Sequence, residues 1–325
     1  MKKFLAMAIA VAAVLTGCVK NETFAPANEI QFKNFALSNK ALVADGTFDT
    51  KLTFGVEMYK AADKSLWDKG EVVYKTSYWG FDDAKFWPTE AGSPVALNFF
   101  AYYPYGAAVA CDTDKGITIN NANIGKTDGT QVDYMIAKMA GPLSLQSAAV
   151  PVAFEHISSL LQFKAQDISV LNDLQGKVTI KGITVKQVST SGKYVNTAAN
   201  AVAGTWTADT AVDMDAIALT TLVKTTVVEL PSVMVVPNTL TGNEIVEVVF
   251  DVAEYTYGDV VVPAQTGVTI TKELKTATID TWAQGKKYVY TLKFNLTKDQ
   301  LEIKFAPTVT EWTDGGSDDL VHDFE

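Results

Sequence analysis

Lys287-Tyr288-Val289-Tyr290-Thr291-Leu292-Lys293-Phe294-Asn295-Leu296 puts Tyr288, Tyr290, Leu292, Phe294 and Leu296 on one side of an extended chain. Val289, Thr291, Lys293 and Asn295 fall on the other side. That period of two is the pattern of a strand with one face in a core, and it has no 3.6-residue counterpart here. Leu301, Ile303 and Phe305 repeat it after Thr297-Lys298-Asp299-Gln300, which predicts a hairpin. Working outward, the same alternation appears at Leu52, Phe54, Val56 and Met58 and at Val246, Val248, Phe250 and Val252. Val178 and Ile180 continue into Ile183 and Val185 only after a one-residue shift at Lys181-Gly182, the mark of a β-bulge. Gly, Asn, Asp and Pro punctuate these runs, so the expected class is an all-β sandwich. The best helical candidate is short, His156 to Leu161, and Ile168 to Leu174 could add one turn.

The chain has 325 residues, longer than a single core usually grows, which predicts two domains. The boundary is expected near Phe163 to Gln175, giving an N-terminal sandwich over 29–168 and a C-terminal one over 169–312. Asn196 to Asp215, rich in Ala, Thr and Asp, reads as a long exposed loop. Residues 313–325 form an acidic tail, with a donor segment as the other reading.

The N-terminus is an address. Lys2 and Lys3 precede an apolar run from Phe4 to Leu15, which ends in Leu15-Thr16-Gly17-Cys18. The run is shorter than the ~20 residues a membrane-spanning helix needs, and it has the order of a secretory signal over 1–17 closed by a lipobox. Cys18 is then the acylated first residue of the mature protein, held to a bilayer outside the cytoplasm by several acyl chains, and 18–28 is its tether. Cys111 is the one thiol left, so no intramolecular disulfide is expected.

The basic set consists of 27 lysines and no arginine, against 37 acidic residues, for a net charge of −10. Phosphate backbones select for basic density and for arginine forks, so nucleic acid is not an expected partner. The chemistry of a catalyst is equally sparse. The two histidines, His156 and His322, lie far apart in sequence and have no ligand-spaced company. Asp112-x-Asp114-x-Gly116 opens like a calcium loop but lacks the later ligands, and reads as a turn between strands. The aromatics Tyr78-Trp79, Phe86-Trp87, Phe99-Phe100 and Tyr102-Tyr103 are read as core, with a sugar platform as the other possibility. No catalytic residue, metal or cofactor is expected.

Several segments carry a resemblance in their order. They are Phe86-Trp87-Pro88, Leu97-Asn98-Phe99-Phe100-Ala101-Tyr102-Tyr103-Pro104, Asp133-Tyr134-Met135-Ile136-Ala137, Val235-Val236-Pro237, Lys287-Tyr288-Val289-Tyr290 and Trp312-Thr313-Asp314-Gly315-Gly316. Together with the lipobox they make the chain similar to the fimbrillin family, the subunits of type V pili in Bacteroidota. The resemblance implies two transthyretin-like antiparallel β-sandwiches in tandem, export as a lipoprotein, and proteolytic loss of the first strand so that a strand of a neighbouring subunit can take its place. On this chain the first strand is Glu29 to Phe35 with Ile30 and Phe32 inward, and the cut falls at Lys40-Ala41. The family's best-known maturation protease is arginine-specific, so a chain without arginine needs a lysine-tolerant enzyme or stays uncut as an anchor or tip subunit. Expected partners are other fimbrial subunits and the outer membrane through Cys18, with a host or bacterial surface ligand as a further one. The alternative is a monomeric surface lipoprotein that grips glycan or host protein through aromatic loops.

Overall fold

The computed structural model describes residues 28–33, 50–127, 130–145, 149–297 and 301–311. Cys18, Lys40, Ala41, the hairpin turn at 298–300 and the acidic tail lie outside the described residues. Strands dominate, and the one helical element among the described residues is a single 3-10 turn, Asn172–Leu174, inside the segment where a turn is expected.

The C-terminal half contains two four-stranded sheets. In one, Val228–Val235, Ser159–Asp167, Lys286–Leu296 and Leu301–Glu311 lie side by side in that order. The other runs Ile217–Leu222, Val178–Lys186, Ile245–Val252, Gln265–Glu273. The predicted hairpin is present, paired from Lys286↔Glu311 to Leu296↔Leu301. The predicted bulge is also present: pairing shifts between Ile180 and Gly182 against both neighbouring strands. One extra residue there returns Ile183 and Val185 to the same core as Val178 and Ile180. Phe163 stacks on Tyr290 with centroids 5.8 Å apart, and Phe250 meets Phe294 edge-on at 5.6 Å, so side chains of both sheets share this core.

The N-terminal half is built round one nine-stranded sheet, whose main path is Val150–Pro151, Gln31–Lys33, Tyr78–Phe81, Leu66–Lys75, Phe54–Lys60, Leu97–Tyr103, Met135–Ala137, Phe154–His156. Its two ends, Val150–Pro151 and Phe154–His156, are neighbours in the chain, so a single crossing segment folds the sheet round its core. Leu97–Tyr103 is buried on both faces. Leu97, Phe99 and Ala101 enter the core of this sheet, while Phe100 and Tyr102 enter a third cluster with Ile117, Ile119, Tyr194 and Met234. That is why Leu-Asn-Phe-Phe-Ala-Tyr-Tyr reads as a nearly continuous apolar run. The third cluster lies against a sheet in which Gly116–Asn123 from one half pairs with Ser191–Asn196 from the other.

Four expectations change. First, the helical candidate His156–Leu161 is extended chain: Phe154–His156 and Ser159–Asp167 are strands. Its consecutive apolar residues split between cores, with Ile157 and Leu160 in the third cluster and Leu161 in the C-terminal one, and a short run buried on both faces has no legible period. Second, Ser159–Asp167, on the N-terminal side of the expected 168/169 boundary, is hydrogen-bonded into a C-terminal sheet. Third, the loop expected over Asn196–Asp215 holds the strand Gly204–Ala208, paired with Ser191–Asn196; its anchor is Trp206, whose Nε1 donates to the Ile157 carbonyl at 2.7 Å. Fourth, the sheets are not purely antiparallel, since Gln31–Lys33 runs parallel to Val150–Pro151 and Ser159–Asp167 runs parallel to Lys286–Leu296. Each of those pairs is far apart in sequence, as a parallel pair requires.

The turn that launches Ile245–Val252 is held by a buried carboxylate. Glu244 accepts from the amides of Thr241 and Gly242 and from the Thr241 hydroxyl at 2.9–3.1 Å. Burial opposes its charge, but the amide and hydroxyl donors together outweigh that effect and hold the carboxyl below its usual value. A depressed carboxyl stabilises the fold above its unfolded pKa, and this stability is lost as pH falls through the folded value. Glu244→Gln is therefore expected to cost about 1–3 kcal/mol at pH 7. In urea titrations the gap between variant and parent should narrow below about pH 4, where both unfolded side chains are neutral.

Candidate functional site

The region that the sequence singles out is the first strand, Gln31–Lys33, and the slot it occupies. Phe32 is paired on one side with Val150, in parallel, and on the other with Trp79, antiparallel. Both rows of backbone groups are used. The Ile30 amide donates to the Lys85 carbonyl at 2.9 Å, and the Trp87 amide donates to the Asn28 carbonyl at 3.0 Å. The Val152 amide donates to the Lys33 carbonyl at 2.9 Å. Ile30 and Phe32, the two inward residues of the sequence reading, are 0% and 3% exposed. The Phe32 ring sits edge-on to Phe81, Phe54 and Phe99, with centroids 5.3, 5.9 and 6.2 Å away. Alternation along Glu29-Ile30-Gln31-Phe32-Lys33 sends these two side chains to one face, and the aromatic walls come from three other strands.

The head of the slot was not visible in the sequence. Glu29 forms an isolated bridge with Phe86, and its carboxylate is 1% exposed. Tyr78 donates its hydroxyl to Glu29 Oε2 at 3.0 Å, and Lys75 Nζ lies 3.9 Å from Oε1. Burial first, and then the neighbouring carboxylate, push the Tyr78 phenol up. The only signal in the sequence was an acidic residue directly before the alternating pair.

Of the aromatic cluster, Trp79, Trp87, Phe99, Phe100 and Tyr102 are core, while Phe86 is exposed. Trp79 packs on Phe54 at 5.7 Å and Tyr74 at 5.5 Å, so it belongs to the wall of the slot and is not presented for a ligand. Trp67 is exposed, with Lys60 Nζ 5.3 Å from its ring centre. Asp112 Oδ1 accepts from the amides of Asp114 and Lys115 in the turn between Val109–Asp112 and Gly116–Asn123, which is the turn expected there. The Cys111 thiol is pushed up, first by burial and then by the charge of Glu57, which makes it a poor nucleophile. His156, which has no ligand-spaced company in the sequence, is buried in the core. Pairing of Met135 with His156 brings Asp133 Oδ2 within 2.7 Å of His156 Nδ1, a juxtaposition of residues 23 positions apart in the chain. Among the described residues no three His, Cys, Asp or Glu side chains are grouped so that they could hold a metal. No helix among them is long and apolar enough to cross a membrane.

The fimbrillin-like family model matches residues 40–312. The chain belongs to the fimbrillin-like family. Solved structures of similar fold include a fimbrial protein from Bacteroides vulgatus, at 14% identity and a TM-score of 0.54, covering 88% of this chain and 99% of that one. A candidate cell adhesion protein from Bacteroides uniformis is similar at 17% identity and a TM-score of 0.53, covering 88% and 97%. Another from Bacteroides ovatus has 15% identity and a TM-score of 0.52, covering 89% and 98%. At such identities the likeness is one of fold. No curated protein matches the sequence. The family match begins at residue 40 and leaves the first strand outside it.

Proposed function

We propose that this fimbrillin-like chain is a subunit of a type V fimbria, exported as a lipoprotein on Cys18 and assembled by β-strand exchange at the cell surface. One observation carries the reading: the first strand fills a slot with partners on both sides and two fully buried anchors. Losing it would leave Tyr78–Phe81 and Val150–Pro151 with unpaired backbone and leave a cavity lined by Phe54, Phe81 and Phe99. Unpaired edges and bare apolar grooves are satisfied together by an added strand, so polymerisation on this plan needs no nucleotide and no catalytic residue. The cut that frees the slot falls after Lys40. The chain divides into two tandem domains that meet near Ile157-Ser158, since Phe154–His156 closes the first sheet and Ser159–Asp167 opens the second.

The test is the N-terminus of protein sheared from its native cell surface, read by mass spectrometry. A chain starting at Ala41 is expected, and Lys40→Gln should abolish that species together with the ladder of polymers. Recovery solely as acylated Cys18 protein in the membrane fraction would overturn strand exchange for this subunit and leave an anchor or a monomeric surface lipoprotein.

A further inference from the structure

Asn28 lies ten residues beyond Cys18, so in a chain anchored at Cys18 it stands within about 36 Å of the bilayer. The point where this tether enters the fold is fixed: the Asn28 carbonyl accepts from the Trp87 amide at 3.0 Å, and Glu29 bridges Phe86. Phe86 is therefore beside the tether, and it is 48% exposed.

Two more exposed apolar side chains belong to the same pole. Lys85, the residue before Phe86, pairs with Asp68 at 2.8 Å and so brings the start of Leu66–Lys75 alongside. Leu66 is 47% exposed and Trp67 39%. Successive side chains of a regular strand point to opposite faces, but the pairing shifts here. Met58 is opposite Asp68 and Tyr59 opposite Leu66, which makes Trp67 the extra residue of a bulge and leaves both side chains at the surface. The charges around them are balanced. Lys60 Nζ, 5.3 Å from the Trp67 ring centre, pairs with Glu90 at 2.5 Å, and Lys64 pairs with Asp114 at 2.6 Å. An aromatic surface with a neutral rim of lysine stems suits the interfacial layer of a bilayer better than a charged partner.

This pole is turned away from the second half. Leu97–Tyr103 runs from one to the other: Leu97 pairs with Lys60, while Tyr103 pairs with Met135, whose other partner is His156 at the junction. A separate exposed group lies past the far end of Ser159–Asp167, where Val170 is 86% exposed. Val261, 58% exposed, is on the hairpin whose first strand packs against Asn172–Leu174 at that end.

We infer that the pole formed by Leu66, Trp67 and Phe86 rests on the bilayer that holds the Cys18 acyl chains, with these side chains in the interfacial layer and the second half of the molecule directed outward. The inference rests on the lipoprotein reading and adds to it an orientation and a second point of attachment.

The experiment uses the full mature chain with Cys111→Ser and one myristoyl-length chain coupled to the Cys18 thiol. A single chain binds bilayers only marginally, which leaves the contribution of the patch readable. Partition into phosphatidylcholine vesicles is measured by flotation. Leu66→Ser, Trp67→Ser and Phe86→Ser together are expected to weaken it about 10- to 100-fold through lost apolar burial. Val170→Ser with Val261→Ser should leave it close to the parent value, and added salt should change it little because the rim is balanced. Brominated acyl chains should quench tryptophan emission of the parent, and most of that quenching should disappear in Trp67→Phe. Equal partition of the folded triple variant and the parent, or quenching unchanged in Trp67→Phe, would overturn the inference. Self-association of the chain without coupled lipid, abolished by the triple variant, would assign the surface to a second copy and overturn it as well. Native protein found without acyl chains at Cys18 would overturn the lipoprotein reading itself, an outcome separate from the partition of the coupled chain.

Discussion

Phe32→Ala is expected to cost about 3–5 kcal/mol, the usual penalty for emptying a buried phenylalanine site. Three phenyl rings from three strands converge on the Phe32 ring, so the hole cannot collapse onto one flexible neighbour. The first strand is short, and when its anchor is lost the cheapest response is for the strand to leave the slot. Hydrogen exchange should therefore show the amides of Ile30, Trp87 and Val152 losing protection first, since their acceptors or donors belong to this strand. Protection at those amides equal to that of the parent protein would show that Phe32 does not hold the strand, and would remove the physical basis for a strand that can be displaced.

Trp282→Ala should have a comparable effect at the other end of the molecule, again about 3–5 kcal/mol. Trp282 is fully buried; its Nε1 donates to the Tyr290 hydroxyl at 2.9 Å, and that hydroxyl donates to the Leu274 carbonyl at 3.0 Å. Burial pushes the Tyr290 phenol up, in keeping with a neutral group that both donates and accepts. The variant should lose protection in Lys286–Leu296 and Ile245–Val252 while Ile30 and Val152 keep theirs. Paired with Phe32→Ala, it measures whether the two proposed domains open separately. Equal loss of protection in both halves by either variant would place the coupling in the third cluster, where Phe100 and Ile136 of the first half meet Tyr194 and Met234 of the second.

The two histidines illustrate how far a list of residue types can be taken. Counting them disfavours a histidine-rich site, and this needs no fold. Which carboxylate stands beside His156 depends on the register of Met135–Ala137 against Phe154–His156, and register is a property of paired strands.

The sequence by itself determined the class of fold. Alternation at Lys287–Leu296 and Val246–Val252 is a local property, because each side chain's face follows from its own position in an extended chain. The bulge at Lys181-Gly182 was legible for the same reason, as a break in a period of two. So were the two anchors, Ile30 and Phe32. Where segments are buried on both faces, as at Phe154–Leu161, the period vanishes and the strand reads as a helix. Which strands become neighbours was decided only by tertiary structure. The parallel pairings, the sheet shared between Gly116–Asn123 and Ser191–Asn196, and the enclosure of Glu29 by Tyr78 and Lys75 join residues about 45 to 125 positions apart. Contacts at such separations are selected by the packing of the whole core, since loop closure costs little more for one long loop than for another and leaves no trace in local pattern.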